Sequence, residues 1–383
     1  MLLTYRIGED ESMSTISLCM IVKDEEKNIR RCLESARDIV DEIIIADTGS
    51  SDRTKEICLE YGAKVFDFEW KDNFAQARNF SIEKASSDWI LWMDADMELQ
   101  VREGECLKDY LEKEKKSVYS VKMLHVSGAE SLIKGQYYTS YNYLLFRNGL
   151  NLHFQGSIHE KLVFDLDKEE EGICGVLGIL HYGYSDEAIA GKAIRNLRLL
   201  VREQEEGSKD PWLDYHIAAE LYRLKETDEA LLSLDKAIAR FLLQGVLPPA
   251  LIYRLKYEIL LRSDRIEIAF QGIEKAVELY PDYVELHFLR GILLYRQEEY
   301  ERAIKAFIYC IVLGEESPGY LIKAGSGSFY AYYYMGECYT KLGFQEAAQE
   351  AYRQSALWNP EFEPAKARLK GEEIELTSQE ICL

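Results

Sequence analysis

Two carboxylates that directly follow a buried apolar stretch carry the clearest chemistry in the sequence. Asp94 and Asp96 come after the run at 89–93, which is rich in aromatic and branched residues. Such a run predicts a strand buried on both faces, so the acids lie at the carboxyl edge of a sheet, where open α/β folds bind ligands. Mg²⁺ and Mn²⁺ prefer oxygen ligands and bridge carboxylates to phosphates. The pair predicts a metal and phosphate site; alternatively, Asp94 caps a following helix and Asp96 is a solvated loop acid.

Alternating strands and helices must position this pair. The predicted strands are 16–22, 42–46, 64–68, 89–93, 117–125 and 137–147. The predicted helices are 25–36, a segment ending near 61, and 72–84. The βαβ spacing predicts a mostly parallel sheet with helices on both faces.

The segment 16–184 resembles the family 2 glycosyltransferases, which bind nucleotide sugars on the GT-A fold. The resemblance rests on four stretches in order, namely SLCMIVKDEEKNIRRCLES, DEIIIADTGSSDRT, DNFAQARN and WILWMDADMEL. The first two are typical of a bacterial subgroup that carries tetratricopeptide repeats behind the catalytic domain. Within that subgroup the chain is similar to peptide S-glycosyltransferases, which modify bacteriocin cysteines.

The resemblance implies a role for each matching residue. Val22 and Lys23 would lie along the nucleotide base, Glu25 near the ribose, and Asp47 would accept the uracil N–H. Arg78 and Asn79 would lie close to the diphosphate and sugar, Asp94 would face the ribose and the metal, and Asp96 would bind the metal. Elementary chemistry agrees, because a carboxylate suits an imide N–H and an arginine fork suits phosphate oxygens. The alternatives are an Asx turn with Ser50 for Asp47 and a surface ion pair for Arg78.

Two later stretches with histidines resemble subgroup motifs, GSIHE at 156–160 and HYGY at 181–184. In the inverting mechanism that the resemblance implies, a base takes the acceptor proton. Glu160 is the candidate base and His159 the competing one; adjacent residues on a strand point to opposite faces, so at most one reaches the acceptor. His181 could complete the metal site, since imidazole is an acceptable ligand for Mn²⁺. The alternative for each histidine is a hydrogen-bonded structural role.

Helical periodicity replaces the strand pattern from residue 186 onward. A connecting helix is predicted at 188–204, followed by a repeat with a period of about 34 residues. The four copies begin near Pro211, Ala250, Val284 and Phe329. The predicted domains are therefore a GT-A domain at 14–186, a connecting helix at 187–210 and a repeat domain at 211–370. Stacked helix pairs form a curved solenoid whose groove holds extended peptides, and the insertion at 315–328 predicts a loop on a binding face. Alternatively, the repeats brace the catalytic domain or form a dimer.

Small residues are predicted to let the two helices of each repeat approach closely, while larger ones fill the seam. The first small position holds Ala218, Tyr257, Gly291 and Gly336, and the second holds Ala230, Ala269, Ala303 and Ala348. A third, apolar position holds Leu234, Ile273, Phe307 and Tyr352. Tyr257 breaks the pattern, so the second copy is irregular.

Composition narrows the class of protein. The 383 residues carry a net charge of -21, which argues against nucleic acid or an anionic membrane as a partner. The eight cysteines occur singly without a Cys-x-x-Cys motif, which fits a reducing cytosol. No apolar run approaches a membrane span of about 20 residues. The N-terminus lacks a signal pattern, and Met13 rather than Met1 is a candidate natural start.

Together these patterns predict a cytoplasmic, metal-dependent, inverting glycosyltransferase. It would use Mn²⁺ or Mg²⁺ to move a sugar from a UDP-sugar to a peptide or protein acceptor held by the repeats, with homo-oligomerisation left open. A glycan or lipid-linked acceptor is one alternative, and a noncatalytic repeat scaffold is another. A nucleotidyltransferase is disfavoured, because no Gly-rich, Lys-bearing loop follows the first strand.

Overall fold

The computed structural model describes residues 14–126, 129–164, 170–183 and 186–372. The chain divides into two units, one comprising Met1–Met123 with Asn142–His181 and the other Leu124–Tyr141 with Tyr182–Leu383. Residues 124–141, which lie within the predicted first domain, thus belong to the second unit. Met1, Met13 and Tyr184 lie outside the described residues.

Strands and helices alternate through the first part of the chain, as predicted. The strands are β1 Ile16–Val22, β2 Glu42–Asp47, β3 Lys64–Asp67, β4 Trp89–Trp92, β5 Met97–Val101, β6 Val118–Val126, β7 Tyr137–Arg147, β8 His153–Gln155, β9 Lys161–Val163 and β10 Glu171–His181. The helices are α1 Ile29–Ala36, α2 Thr54–Glu60, α3 Phe74–Glu83, α4 Leu107–Lys113 and α5 Ala129–Ile133. The sequence pattern did not predict β5, α4, α5 or β8–β10.

The main sheet has the strand order β3-β2-β1-β4-β7-β6-β10-β5. Its first four strands are parallel neighbours, whereas β4 pairs with β7 and β5 pairs with β10 in antiparallel fashion. The α/β fold is confirmed, and the sheet is mixed, with its parallel half at one side. The carboxyl ends of β1, β2 and β4 meet at one edge of that half.

The two faces of this sheet bury different residues because side chains alternate along a strand. Leu18 and Met20 of β1 pack into the same cluster as Leu33 of α1. Cys19 points to the opposite face, where its thiol donates a hydrogen bond to the main-chain oxygen of Ser81 in α3. Helices therefore cover both faces of the sheet, as predicted.

The second unit consists mainly of paired helices. They are α6 Asp186–Glu205, α7 Trp212–Arg223, α8 Thr227–Leu243, α9 Ala250–Arg262, α10 Ile266–Leu279, α11 Val284–Arg296, α12 Tyr300–Leu313, α13 Phe329–Lys341, α14 Gln345–Trp358 and α15 Glu363–Lys370, with β11 Ile322–Lys323 between α12 and α13. Four consecutive pairs begin with α7, α9, α11 and α13, so the four predicted repeat starts agree with the structure. No helix in the described ranges is long and apolar enough to cross a membrane.

The predicted small and large positions meet in the helix seams. A side chain added at Gly291 would collide with the ring of Phe307, and one at Gly336 would collide with the ring of Tyr352. The irregular second copy reverses this arrangement: the large Tyr257 lies against Gly272, where an added Cβ would stand 2.6 Å from the tyrosine hydroxyl. These three seams therefore each pair one small residue with one large ring.

The insertion between α12 and α13 is folded rather than an open loop. Its strand β11 pairs with β7 at Thr139 and Tyr138, which belong to the same unit. The Glu315 carboxylate accepts hydrogen bonds from the main-chain N–H groups of Gly325 and Gly327, both at 3.0 Å. The segment is therefore a structured connection, and its place on a binding face stays a prediction.

Candidate functional site

The loops that follow β1 and β2 are joined to each other at the carboxyl edge of the sheet. Asp24 has a left-handed φ of 53°, and its carboxylate accepts the main-chain N–H of Ser51 at 2.7 Å. In return, the N–H of Glu25 donates to the Thr54 hydroxyl at 2.7 Å, and the N–H of Glu26 donates to Asp52 at 3.0 Å. These reciprocal bonds fix the shape of the edge next to Asp47.

The predicted nucleotide-binding residues occupy this edge in different environments. Asp47 is 1% exposed, and its carboxylate accepts the main-chain N–H groups of Gly49 and Ser50 at 3.0 Å each. This is the Asx turn that the sequence offered as the alternative, and the base contact of Asp47 stays a prediction. Val22 is buried, Lys23 is exposed, and Glu25 is half-buried with its carboxylate bonded to the side chain of Asn28.

Arg78 of α3 is the electrostatic centre of the site. Its guanidinium donates to both carboxylate oxygens of Asp94, at 3.0 and 3.4 Å, and to the carboxylate of Glu160. It also lies over the ring of Trp92, 4.1 Å from the ring centroid. Burial by itself would lower the pKa of Arg78, but the charges of Asp94 and Glu160 raise it above its ordinary value. The surface ion pair offered as the alternative is excluded, because the arginine side chain is only 9% exposed.

Asp94 and Asp96 lie in the turn that connects β4 to β5. A strand rather than a helix follows, so the alternative in which Asp94 caps a helix is wrong. The register of β5 and β10 pairs Met97 with His181, and this brings Nε2 of His181 to 3.4 Å from Oδ1 of Asp96. Both side chains are largely buried, at 15% exposure for Asp96 and 20% for His181.

The predicted metal ligands form a pair rather than a trio. Across the described ranges, no group of three or more His, Cys, Asp or Glu side chains is arranged to hold a metal ion. Asp96 faces His181, whereas Asp94 is bonded to Arg78. Ligand atoms about 2.1 Å from an octahedral cation stand roughly 3 Å from their neighbours, so Asp96 and His181, which are 3.4 Å apart, need to approach only a few tenths of an ångström to share one cation. The carboxylate of this pair suits Mg²⁺ or Mn²⁺, and the imidazole suits a transition metal.

His159 and Glu160 lie in a bend between β8 and β9 and not on a strand. The expectation that they point to opposite faces of a strand is therefore wrong. His159 adopts a left-handed φ of 50°. The Glu160 side chain is 9% exposed and bonded to Arg78, so the candidate base and Asp94 share one guanidinium.

Asn79 has a different environment from the one that the sequence predicts. Its side-chain oxygen accepts the main-chain N–H of Phe154 at 2.7 Å, and its side-chain nitrogen donates to the Phe154 carbonyl at 2.9 Å. Both polar atoms therefore hold β8, and the diphosphate contact of Asn79 stays a prediction. Sequence reasoning did not identify Trp92 and Phe154 as supports of Arg78. The position of Trp92, two residues before Asp94, was a signal that could have indicated its role. For Phe154 there was no such signal in the sequence.

Comparison with known proteins assigns a class to this domain. Residues 17–164 match the model of Glycosyl transferase family 2. A TPR repeat-containing protein of Synechococcus elongatus is 33% identical over 283 residues, which cover 70% of this chain and 66% of that protein. The SPbeta prophage-derived glycosyltransferase SunS of Bacillus subtilis is 31% identical over 241 residues, covering 61% of this chain and 55% of that protein. Among solved structures, the TPR protein YrrB aligns with a TM-score of 0.38 at 19% identity, covering 47% of this chain and 84% of YrrB.

The chain carries a glycosyltransferase domain of family 2, followed by tetratricopeptide repeats. It spans 66% and 55% of the lengths of the two curated relatives.

Proposed function

We propose that the protein is a metal-dependent, inverting glycosyltransferase that uses a UDP-sugar as donor and a peptide or protein as acceptor. The observation that carries this proposal is the pairing of Asp96 with His181, next to the Arg78–Asp94 ion pair, at the carboxyl edge of a family 2 domain. The two proposed metal ligands, Asp96 and His181, thus lie near Arg78, which we propose as the phosphate-binding group.

On the donor side, Asp96 and His181 would hold Mn²⁺ or Mg²⁺. When bound, such a cation stabilises the negative charge that develops on a leaving diphosphate. Arg78 presents a planar set of donors for phosphate oxygens, and Trp92 and Asp94 hold that guanidinium in place. The first two loops of the sheet edge would receive the nucleoside, with Asp47 toward the base and Glu25 toward the ribose.

On the acceptor side, Glu160 or His159 would take the proton of the attacking group. Both residues lie in the bend between β8 and β9, and Arg78 joins Glu160 to the donor-side Asp94. A thiol acceptor needs less help from a base than a hydroxyl, because its ordinary pKa is near 8.5.

The repeat domain supports a peptide or protein acceptor, as does the resemblance to peptide S-glycosyltransferases. Not every face of the repeats is accessible. Arg254, Glu258 and Glu285 of the first helices in repeats two and three are buried, and they are covered by Tyr138 and β11 of the same unit. The acceptor would therefore contact the repeats elsewhere.

A thermal-shift series tests the donor half of the proposal. UDP-, GDP-, CDP- and dTDP-sugars are each added with and without Mn²⁺, and a ligand at a hundredfold excess over its Kd stabilises by about 2.7 kcal/mol. We expect a shift with a UDP-sugar that requires metal and is lost in Asp96→Ala and His181→Ala. The matched control Asp38→Ala, at an 86% exposed side chain, should keep the shift. Absence of a shift with every nucleotide sugar would refute the proposed donor.

The acceptor half is tested by transfer from the identified donor to cysteine-, serine- or threonine-containing peptides. We expect product only when a peptide or protein is present. Transfer to a glycan or lipid-linked sugar in the absence of peptide would instead support the alternative acceptor. Donor binding without turnover of any acceptor would favour the scaffold.

A further inference from the structure

The bend that carries the candidate bases has an unusual backbone. Gly156 has a φ of +114° and His159 a φ of +50°. The left-handed region costs free energy for a residue with a side chain, and it persists at such positions only where the surrounding structure holds it. Something outside residues 156–160 must therefore keep this bend in its observed form.

Helix α3 makes the contacts that hold the bend. The main-chain N–H of Phe74 donates to the carbonyl of Ser157 at 2.9 Å. One turn further along the helix, Arg78 bonds to Glu160. The next residue, Asn79, forms two hydrogen bonds with the main chain of Phe154, just before the bend.

These two Asn79 bonds act together, because an amide that both donates to and accepts from the main chain of one residue fixes the position and the rotation of that residue. Phe154 in turn packs edge-on against Trp92, with 5.2 Å between ring centroids, and its ring lies 5.6 Å from the guanidinium of Arg78. A displacement of Phe154 would therefore move the entry to the bend, while Arg78 keeps its contacts with Trp92 and Asp94.

We infer that Asn79 is a positioning residue for the acceptor-side bend and not a ligand of the donor. This inference rests on the proposed function, in which His159 or Glu160 takes the proton of the acceptor. Asn79 commits both polar atoms to Phe154, and it holds β8 at the distance from α3 that places Glu160 on Arg78. It acts on catalysis through the bend and leaves the Asp96–His181 pair untouched.

Asn79→Leu tests this assignment, because leucine has a similar size and no polar atoms. We expect kcat to fall by about 10²-fold, since a small misplacement of a reacting group costs about that much. The metal-dependent affinity for the UDP-sugar, measured by calorimetry, should stay at the wild-type value. Asn79→Asp keeps the acceptor for the Phe154 N–H and should give a kcat between those of wild type and Asn79→Leu.

Asn148→Leu is the matched control. The Asn148 side chain also holds backbone in the first unit, donating to the carbonyls of Ala85 and Ser87 at 3.3 and 2.9 Å. We expect this variant to lose thermal stability while its kcat stays unchanged. Hydrogen exchange gives a readout that is independent of turnover: amides of residues 153–160 should lose protection in Asn79→Leu and keep it in Asn148→Leu.

The outcomes separate the two levels of the argument. Wild-type protein that binds no UDP-sugar would overturn the proposed function. If the wild type is active and the donor affinity of Asn79→Leu falls as much as its kcat, Asn79 contacts the donor. That result would overturn the inference and leave the proposed function intact. Unchanged kcat in Asn79→Leu would also overturn it. If Asn79→Leu does not fold, Asn79→Asp decides between the same outcomes.

Discussion

Two buried arginines, one in each unit, have almost the same immediate surroundings. Arg78 and Arg254 both have side chains that are 9% exposed, and each lies on an aromatic ring, with 4.1 Å to Trp92 and 5.0 Å to Tyr138. Each is also bonded to two carboxylates. The carboxylates of Arg78 are Asp94 and Glu160, and those of Arg254 are Glu258 and Glu285.

The two clusters differ in what their carboxylates can reach. The Asp94 side chain is 33% exposed and lies in a turn with Asp96 at the edge of the sheet. Glu258 and Glu285 are 9% and 6% exposed, and Glu285 also accepts the main-chain N–H of Lys323 in β11. Burial raises the pKa of Glu285 in spite of the opposing charge of Arg254. The two clusters are therefore distinguished by the partial exposure of Asp94 and by the neighbouring Asp96–His181 pair, and not by the buried charges themselves.

The Arg254 cluster also shows how the repeats use one of their faces. The residues that present charge on the first helices of repeats two and three are covered by a strand and a tyrosine of the same unit. This face of the repeats thus contacts part of its own chain. The second unit thus combines repeat packing with an internal brace.

The largest expected effect that distinguishes the two clusters is on stability. Arg254→Met removes the cation that the buried carboxylates of Glu258 and Glu285 share, and we expect a loss of about 3–5 kcal/mol in the free energy of unfolding. Urea unfolding measures it. The control Arg202→Met removes an exposed ion pair with Glu206, whose side chains are 63% and 65% exposed, and should cost less than about 1 kcal/mol. Equal losses would show that burial of the Arg254 cluster is unimportant.

The next effect is on turnover. Arg78→Met removes a charged group that we place at the diphosphate, and we expect the rate of sugar transfer to fall by about 10²–10³-fold. Arg78→Lys keeps the charge but loses the planar fork, so it should rescue only part of the rate. The rate is measured well below the unfolding temperature, where folded Arg254→Met should retain transfer. Similar losses of transfer rate in Arg78→Met and Arg254→Met would show that the two clusters do not differ in function.

The smallest effect is a pH dependence that has opposite signs in the two units. In the first unit, burial alone would raise the pKa of Glu42, but hydrogen bonds from Lys64, Ser17 and Ser86 lower it to about 2. A lowered pKa gives stability that is present above the ordinary value of 4.5 and is lost as the pH falls toward 2. In the second unit, burial raises the pKa of Glu315, so stability falls as the pH rises above 4.5.

Two variants check these signs by urea unfolding across pH. Glu42→Gln should be less stable than wild type at pH 6 and should approach wild type near pH 2. Glu315→Gln, which mimics the protonated carboxyl, should gain stability relative to wild type as the pH rises above 4.5. If the stability of both variants relative to wild type changed in the same direction with rising pH, this contrast would be contradicted.

Local patterns predicted much of the fold. The apolar runs located β1, β7 and the starts of the four repeats, because burial imposes a period of two on strands and of 3.6 on helices. The small and large positions of the repeats also agreed, since a seam such as that of Gly336 and Tyr352 needs one of each. Short strands such as β8 and β9 lacked enough residues for a period to show.

The residues of the candidate site were easier to predict than the contacts between them. Asp94 and Asp96 were identified by residue type and position after a strand, and Arg78, Glu160 and His181 by the resemblance to family motifs. All five lie at one edge of the sheet. Their pairing was not predictable. Asp94 and Glu160 share Arg78 because α3 brings residue 78 between segments that are 16 and 82 positions away.

The sequence by itself determined that an α/β domain with an acidic pair at a strand end precedes four helix pairs, because periodicity, capping residues and motif order are local properties. Only the tertiary structure decided that Asp96 faces His181, that Asn79 holds Phe154, and that the insertion forms β11. These contacts join residues far apart in the chain through strand register and helix packing. One sequence pattern is compatible with several registers, and the packing of the whole unit selects one of them.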